Sequence, residues 1–234
     1  MTTRAFDARY YQEHQLDGDR LALWWYARVI RRLCPEGGRI LDFGCGTGHL
    51  LKRLSTEFET FGFDPSPTAR SQCRTNAPDT VVLEEWESLP RATFDVIASL
   101  HTFEHLAYPL PTLRRLADKL VPAGILFMVV PNPQGLGKRL KGKQWFGYRD
   151  ATHVSLMPRA EWIATLHKAG LQIMSIHGDG MWDPPYVPLL PVAVQRVLFG
   201  APAAVQVFSP ISKPFLPPIL GECLVVTARR PGTD

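Results

Sequence analysis

Nine consecutive residues, Ile40-Leu41-Asp42-Phe43-Gly44-Cys45-Gly46-Thr47-Gly48, place a carboxylate in an apolar run and then glycines at alternating positions. Glycine adopts positive φ and lets a ligand approach the backbone closely, so the segment reads as a strand turning through a ligand-holding loop into a helix. Asp64 closes a second apolar run, 22 residues after Asp42. A carboxylate there can accept both hydroxyls of a ribose, and the glycine spacing differs from the GxGxxG of dinucleotide sites. Without a ligand, the same residues would be a strand-to-helix turn with Asp64 as a helix cap.

A second set could move protons. His101-Thr102-Phe103-Glu104-His105 follows a strand, and Tyr148-Arg149-Asp150-Ala151-Thr152-His153 lies in a long connection further on. Imidazole titrates near neutrality, which makes His153 the first choice for a general base, with His105 beside it as a second catalytic candidate. His101, Glu104, His105 and His153 also form an HxxEH…H set suited to zinc or a comparable divalent ion. The competing reading makes Glu104 and His105 backbone-bonded residues at a helix start and His153 a polar core residue, and no metal is assigned. Lys138-Arg139-Leu140-Lys141-Gly142-Lys143, with Trp145, Phe146 and Tyr148 following, could hold a phosphate, a carboxylate or nucleic acid. It could equally be a solvated loop with Trp145 packed inward, or a lid.

These residues must be positioned by alternating strands and helices. Apolar runs at 39–43, 58–64, 80–83, 94–100, 125–131, 171–178 and 222–229 read as strands. Helical patterns fall at 19–34, with Asp19 as the cap, from about Gly48, at 66–76, at 109–124 and at 158–170. Continuous apolar strands between helices predict an α/β fold, a mostly parallel sheet covered on both faces. Residues 1–234 read as a single domain, with an N-terminal helical cap over 1–36 and an insertion over 179–221.

Here the chain resembles the class I S-adenosylmethionine-dependent methyltransferases, especially the group that includes ubiquinone-pathway O-methyltransferases. The resemblance covers about residues 1–178 and the final strand, with DFGCGTG, GFDPS and EEWESLPRATFDVI matching its motifs in order. It implies a doubly wound, Rossmann-like sheet of seven strands whose antiparallel last strand is 222–229. It also implies that Asp42, Gly44, Cys45 and Gly46 line the methionine part of the cofactor. Asp64 would bind the ribose, with Pro65 near the adenine. Glu85 would reach the adenine amino group beside Trp86, although Asp-Ala is usual there. Leu100 and His101 would face the sulfonium, and Tyr11 would close over the cofactor. S-adenosylhomocysteine would be the product. The HxxEH…H set is similar to the metal-binding residues of small-RNA 3′-end methyltransferases, with His101 in place of their first acid.

Composition narrows the function class. With 45% hydrophobic and 21% charged residues, the chain is ordinary for a globular protein and far from disorder. A net charge of +4 is too small to argue for nucleic acid. Cys34, Cys45, Cys73 and Cys223 form no CxxC pair, which makes a zinc ribbon or a disulfide framework a poor reading, and MTTRAFDARYY lacks a basic start and apolar run. A cytoplasmic protein is expected. The 21 prolines exceed the roughly 12 expected at the ordinary frequency of about 5%. Nine of them fall between Gly178 and Gly221, where Arg196 is the only charge from Val187 to Phe208. That segment is expected to be irregular, too proline-broken to span a membrane, and to pack on the domain, form a dimer, wall an acceptor pocket or touch a membrane surface.

The expected activity is transfer of a methyl group from S-adenosylmethionine to a small-molecule or lipid-like acceptor, most readily at oxygen, by a monomer or homodimer, without nucleic acid. The alternatives are a metal-dependent RNA 3′-end methyltransferase and a non-catalytic S-adenosylmethionine-binding protein.

Overall fold

The computed structural model describes residues 20–232. Tyr11 and Asp19 lie outside the described residues. Seven strands, β1 (Gly38–Phe43), β2 (Phe58–Phe63), β3 (Val81–Leu83), β4 (Phe94–Leu100), β5 (Leu120–Pro131), β6 (Gln172–Gly178) and β7 (Cys223–Arg229), form one sheet in the order β3-β2-β1-β4-β5-β7-β6. The first five pair in parallel, and β7 runs antiparallel to both β5 and β6. The antiparallel last strand is therefore present, inserted between β5 and β6.

Side chains alternate across a strand, so each apolar run feeds two cores. On one face Leu41, Ile97, Met128 and Leu224 pack with Leu113 and Leu116 of α4 (Pro109–Lys119) and with Trp162 and Leu166 of α7 (Arg159–Lys168). On the other, Ile40, Val96, Phe127 and Val225 pack under Trp25, Tyr26 and Ile30 of α1 (Leu21–Leu33). Both faces being covered, the run Leu126–Val130 is buried throughout. Two shorter helices, α2 (His49–Leu54) and α3 (Pro67–Asn76), follow β1 and β2. α5 (Leu136–Lys141) and α6 (Phe146–Arg149) occupy the connection after β5.

Two expected elements differ. The helix expected over 109–124 stops at Lys119, and Leu120 already pairs with Phe94 in the sheet. Pro122 disfavours helical backbone at Val121, and the chain bulges before Ile125 regains register with Val96. The 179–221 segment, expected to be irregular, contains a 17-residue helix, α8 (Val192–Phe208). Pro202 removes one helical donor within it. The helix survives because side chains from elsewhere satisfy its surroundings. Arg28 donates from Nη1 to the carbonyl of Val207 and from Nη2 to that of Ser209, both at 3.1 Å, at the end where helical carbonyls lack partners. Among the described residues no helix is long and apolar enough to cross a membrane.

Parallel strands end together, so Phe43, Phe63, Leu100 and Gly178 lie at one edge of the sheet. The insertion leaves from Gly178 and returns at Cys223 on that same edge.

Candidate active site

The loop after β1 is held by its neighbours. Gly44 N and Cys45 N both donate to the carbonyl of Phe63, at 2.7 and 2.9 Å, tying the loop to the end of β2. Gly44 has φ +87°, and a Cβ there would run into the side chain of Thr102. Gly48, at φ +83°, would meet Cys73 Sγ. Gly46 turns its N–H to Asp64 Oδ2 at 3.0 Å, and Ser66 N reaches Asp64 Oδ1 at 2.9 Å. The side chain of Ser66 in turn accepts from Ala69 N to cap α3. Part of the glycine pattern thus serves the packing of the turn itself.

Asp42 is 3% exposed, and its Oδ1 has no hydrogen-bond partner among the described residues. Burial, reinforced by the negative Asp64 nearby, pushes its carboxyl up to about 8. A buried carboxyl with a vacant acceptor oxygen fits a ligand bearing an ammonium or N–H groups, as the methionine part of S-adenosylmethionine does. Cys45 is buried, its thiol raised well above the usual range by Cys73 and by burial. Pro65 is half-buried, and Glu85 is exposed. The indole of Trp86 lies in the core, edge-on to Phe43 at 5.1 Å and near Phe63 at 6.3 Å.

Leu100 ends β4, and His101 follows with φ +54°, its N–H held by the carbonyl of Val129 at 2.9 Å. From there the chain turns through a short 3₁₀ segment, Phe103–His105. Glu104 is fully buried, and its carbonyl accepts from Val154 N and Ser155 N, both at 2.9 Å, which draws the two candidate segments together. His101 Nδ1 stands 3.3 Å from Glu104 Oε1, yet neither carboxylate oxygen accepts a hydrogen bond of good geometry among the described residues.

Both remaining imidazoles have assigned tautomers. His153 Nδ1 is 2.9 Å from the carbonyl of Gly147, and His105 Nδ1 is 3.2 Å from that of Thr152. A carbonyl only accepts, so each Nδ1 carries the proton and each Nε2 is the basic nitrogen. The rings are 4.8 Å apart. Burial holds His105 below the usual imidazole range, against the pull of Glu104. Ligand atoms of Glu104, His105 and His153 all lie within 4.8 Å of one another, a spacing a metal ion could bridge. The backbone contact expected of His105 is therefore present together with the cluster.

The sequence reading did not single out the groups where the insertion rejoins the sheet. Cys223 Sγ is 4.0 Å from His101 Nε2, and Asp179 Oδ1 accepts Cys223 N at 2.8 Å. Burial raises Asp179 to about 7. Glu222, also raised by burial, accepts the indole N–H of Trp145 at 2.8 Å. The available signal was an isolated acid at each boundary of an otherwise acid-poor stretch. In the basic stretch, Lys141 is turned inward onto Asp183, its side chain 6% exposed, and so is withdrawn from the surface cations.

A doubly wound sheet with this loop at its carboxyl edge defines a class I S-adenosylmethionine-dependent methyltransferase. The chain belongs to the methyltransferase-domain family, whose model it matches over residues 12–176. It is 27% identical over 165 residues to a ubiquinone biosynthesis O-methyltransferase of Xanthomonas axonopodis, covering 64% of this chain and 69% of that one. It is 30% identical over 151 residues to a 27-O-demethylrifamycin SV methyltransferase of Amycolatopsis mediterranei, covering 58% of this chain and 54% of that one. The chain thus spans about half the length of the second relative. Among solved structures, the fold is shared with a Haloferax volcanii methyltransferase in complex with its Trm112 activator (TM-score 0.71, 19% identity, 100% of this chain and 99% of that one). It is also shared with a Thermotoga maritima S-adenosylmethionine-dependent methyltransferase (TM-score 0.64, 17% identity, 97% and 98%).

Proposed function

We propose that this methyltransferase acts on the hydroxyl oxygen of a small, largely apolar acceptor, with His153 as the general base. S-adenosylmethionine supplies a methyl group on a sulfonium, an electrophile that needs no acid assistance. Asp42, Gly44, Cys45 and Gly46 would hold its methionine part, Asp64 its ribose, and Pro65, Glu85 and Trp86 the adenine side. Leu100 and His101 would border the reacting end. The observation that carries the assignment of base is the 2.9 Å bond from His153 Nδ1 to the carbonyl of Gly147. With Nδ1 protonated, Nε2 can take the acceptor's proton as the O–H bond breaks, and the resulting imidazolium remains oriented by Gly147. Asp150 Oδ2, 3.7 Å from His153 Nε2, stabilises that cation. Burial of His105 disfavours its charged form, which works against a second positive charge there. The apolar insertion, returning beside His101 at Cys223, would wall the acceptor.

The choice of oxygen is supported by the names of both relatives, one an O-methyltransferase of ubiquinone biosynthesis and the other a methyltransferase of 27-O-demethylrifamycin SV. Free thiols at Cys34, Cys45, Cys73 and Cys223 fit a cytoplasmic setting. A second reading adds a divalent ion on Glu104, His105 and His153, favoured by the buried carboxylate and the two basic Nε2 atoms; the ion would hold the acceptor oxygen and lower its pKa.

The test uses methyl-labelled S-adenosylmethionine with hydroxylated, isoprenoid-tailed aromatic acceptors and locates the label by mass spectrometry. Label on oxygen, lost in His153→Ala, is expected. Label on nitrogen or on RNA would overturn the reading. Loss of activity in EDTA, restored by a divalent ion, selects the metal-assisted form.

A further inference from the structure

Helix α8 is turned inside out. Its inward positions hold two glutamines, Gln195 and Gln206, both fully buried. Gln195 Oε1 accepts Tyr186 N at 2.5 Å and Val187 N at 3.0 Å, while its Nε2 donates to the carbonyls of Val187 at 2.8 Å and Leu190 at 2.5 Å. Gln206 Oε1 accepts Phe215 N at 2.7 Å and Leu216 N at 2.8 Å, and its Nε2 donates to Gly178 O at 3.0 Å and Asp179 O at 3.4 Å. These two amides satisfy backbone groups of a segment whose bond to the sheet here is that of Gly178 N to the carbonyl of Leu216, at 2.9 Å. They also fix the rotation of the helix, which buries Ala203 and Val207 beside them and sends the larger part of its apolar residues outward. Val194, Val197, Val205 and Phe208, spaced at roughly whole helical turns, are 42%, 69%, 64% and 63% exposed, and Leu198 is 60% exposed. An apolar helix face of this kind needs an apolar phase to cover it.

Charge identifies the phase. From Pro184 to Gly221 there is no Asp or Glu, and the only charges are Arg196 and Lys213, both exposed. An open groove of about 430 Å³ runs between α8 and residues 181–184, lined by Trp182, Val197 and Ala201 with Arg196 alongside them. An apolar trough beside a guanidinium matches an acyl chain beneath a phosphate. Asp183, at the rim of the groove, is already paired with Lys141 and Arg149, so a second copy of the chain would bring no unpaired carboxylate from this segment to meet Arg196. The helix is not long and apolar enough to cross a membrane, so it would lie along the surface.

We propose that the outward face of α8 docks on an anionic phospholipid bilayer. Val197, Leu198, Val205 and Phe208 enter the acyl boundary, and Arg196 meets headgroup phosphate. The proposal is independent of which acceptor is methylated.

The test is flotation of the full chain with vesicles of phosphatidylcholine, with and without phosphatidylglycerol. The wild type floats with the anionic vesicles, and the double variant Val197→Glu/Leu198→Glu loses about tenfold or more of that binding. Arg196→Gln reduces binding to anionic vesicles towards the level seen on neutral ones. All three positions are exposed, and unchanged circular dichroism and S-adenosylmethionine affinity verify that the variants fold. Absence of flotation with anionic vesicles, or equal flotation of the double variant, overturns the proposal. So does conversion of a vesicle-free dimer to a monomer by the same variant, which would assign the face to a second copy.

Discussion

The carboxylate of Asp64 accepts the N–H of Gly46 at 3.0 Å through Oδ2 and that of Ser66 at 2.9 Å through Oδ1. One side chain at the end of β2 thus joins the glycine loop to the start of α3. Asp64→Ala removes both bonds together with the proposed ribose contacts. S-adenosylmethionine affinity should fall by about 1–3 kcal/mol, measured by calorimetric titration. Unchanged affinity would remove Asp64 from the cofactor site.

Asp42 makes stability depend on pH. Its carboxyl is raised from 3.8 to about 8 in the folded chain, so between those values the folded state binds more protons than the unfolded one. Stability from this group therefore declines as pH rises through that interval and levels off above it. Asp42→Asn should flatten the decline and raise the melting temperature at pH 8 relative to wild type, in cofactor-free protein. A wild-type curve parallel to the mutant's across the interval would refute the raised carboxyl.

His153→Ala should lower turnover by about 10²–10⁴-fold, the usual range for loss of a general base, with S-adenosylmethionine affinity nearly intact. Single-turnover assays with the labelled cofactor separate the two quantities. Full rate in the mutant would leave His153 with its bond to Gly147 and no part in proton transfer.

Gln206→Leu keeps the size of the side chain and strips its four backbone partners, the amides of Phe215 and Leu216 and the carbonyls of Gly178 and Asp179. The carbonyl of Asp179 keeps the indole N–H of Trp182, but buried polar groups left without partners cost about 1–3 kcal/mol each, so urea unfolding should show a loss well beyond that of a surface substitution. An unchanged midpoint would mean that water or a shifted loop replaces the amide.

The alternation of apolar runs and helices, the glycine loop, and acids at the ends of two strands were legible along the chain, because backbone conformation and two-faced burial act on neighbouring residues. So were β7 as a final strand and the histidines as a set. The early end of α4 was not, since Leu120 is drawn into the sheet by Phe94, a partner far away in sequence. The contacts of the Trp86 ring with Phe43 and Phe63 were not legible either, since they arise from the packing of three separate segments. Nor could sequence alone place α8, whose helix depends on Arg28 and on loop amides brought to Gln195 and Gln206 by the tertiary fold.

Residue types and local spacing by themselves determined the α/β class, a glycine loop with an acid suited to ribose hydroxyls, and the groups able to carry a proton, while the kind of cofactor followed from the family resemblance those motifs carry. Only the tertiary structure decided which nitrogen of His153 is basic, that Asp42 is held protonated near neutrality, and which face of α8 meets solvent. Each of these depends on burial and hydrogen-bond partners contributed by distant segments, and periodicity along the chain carries no record of them.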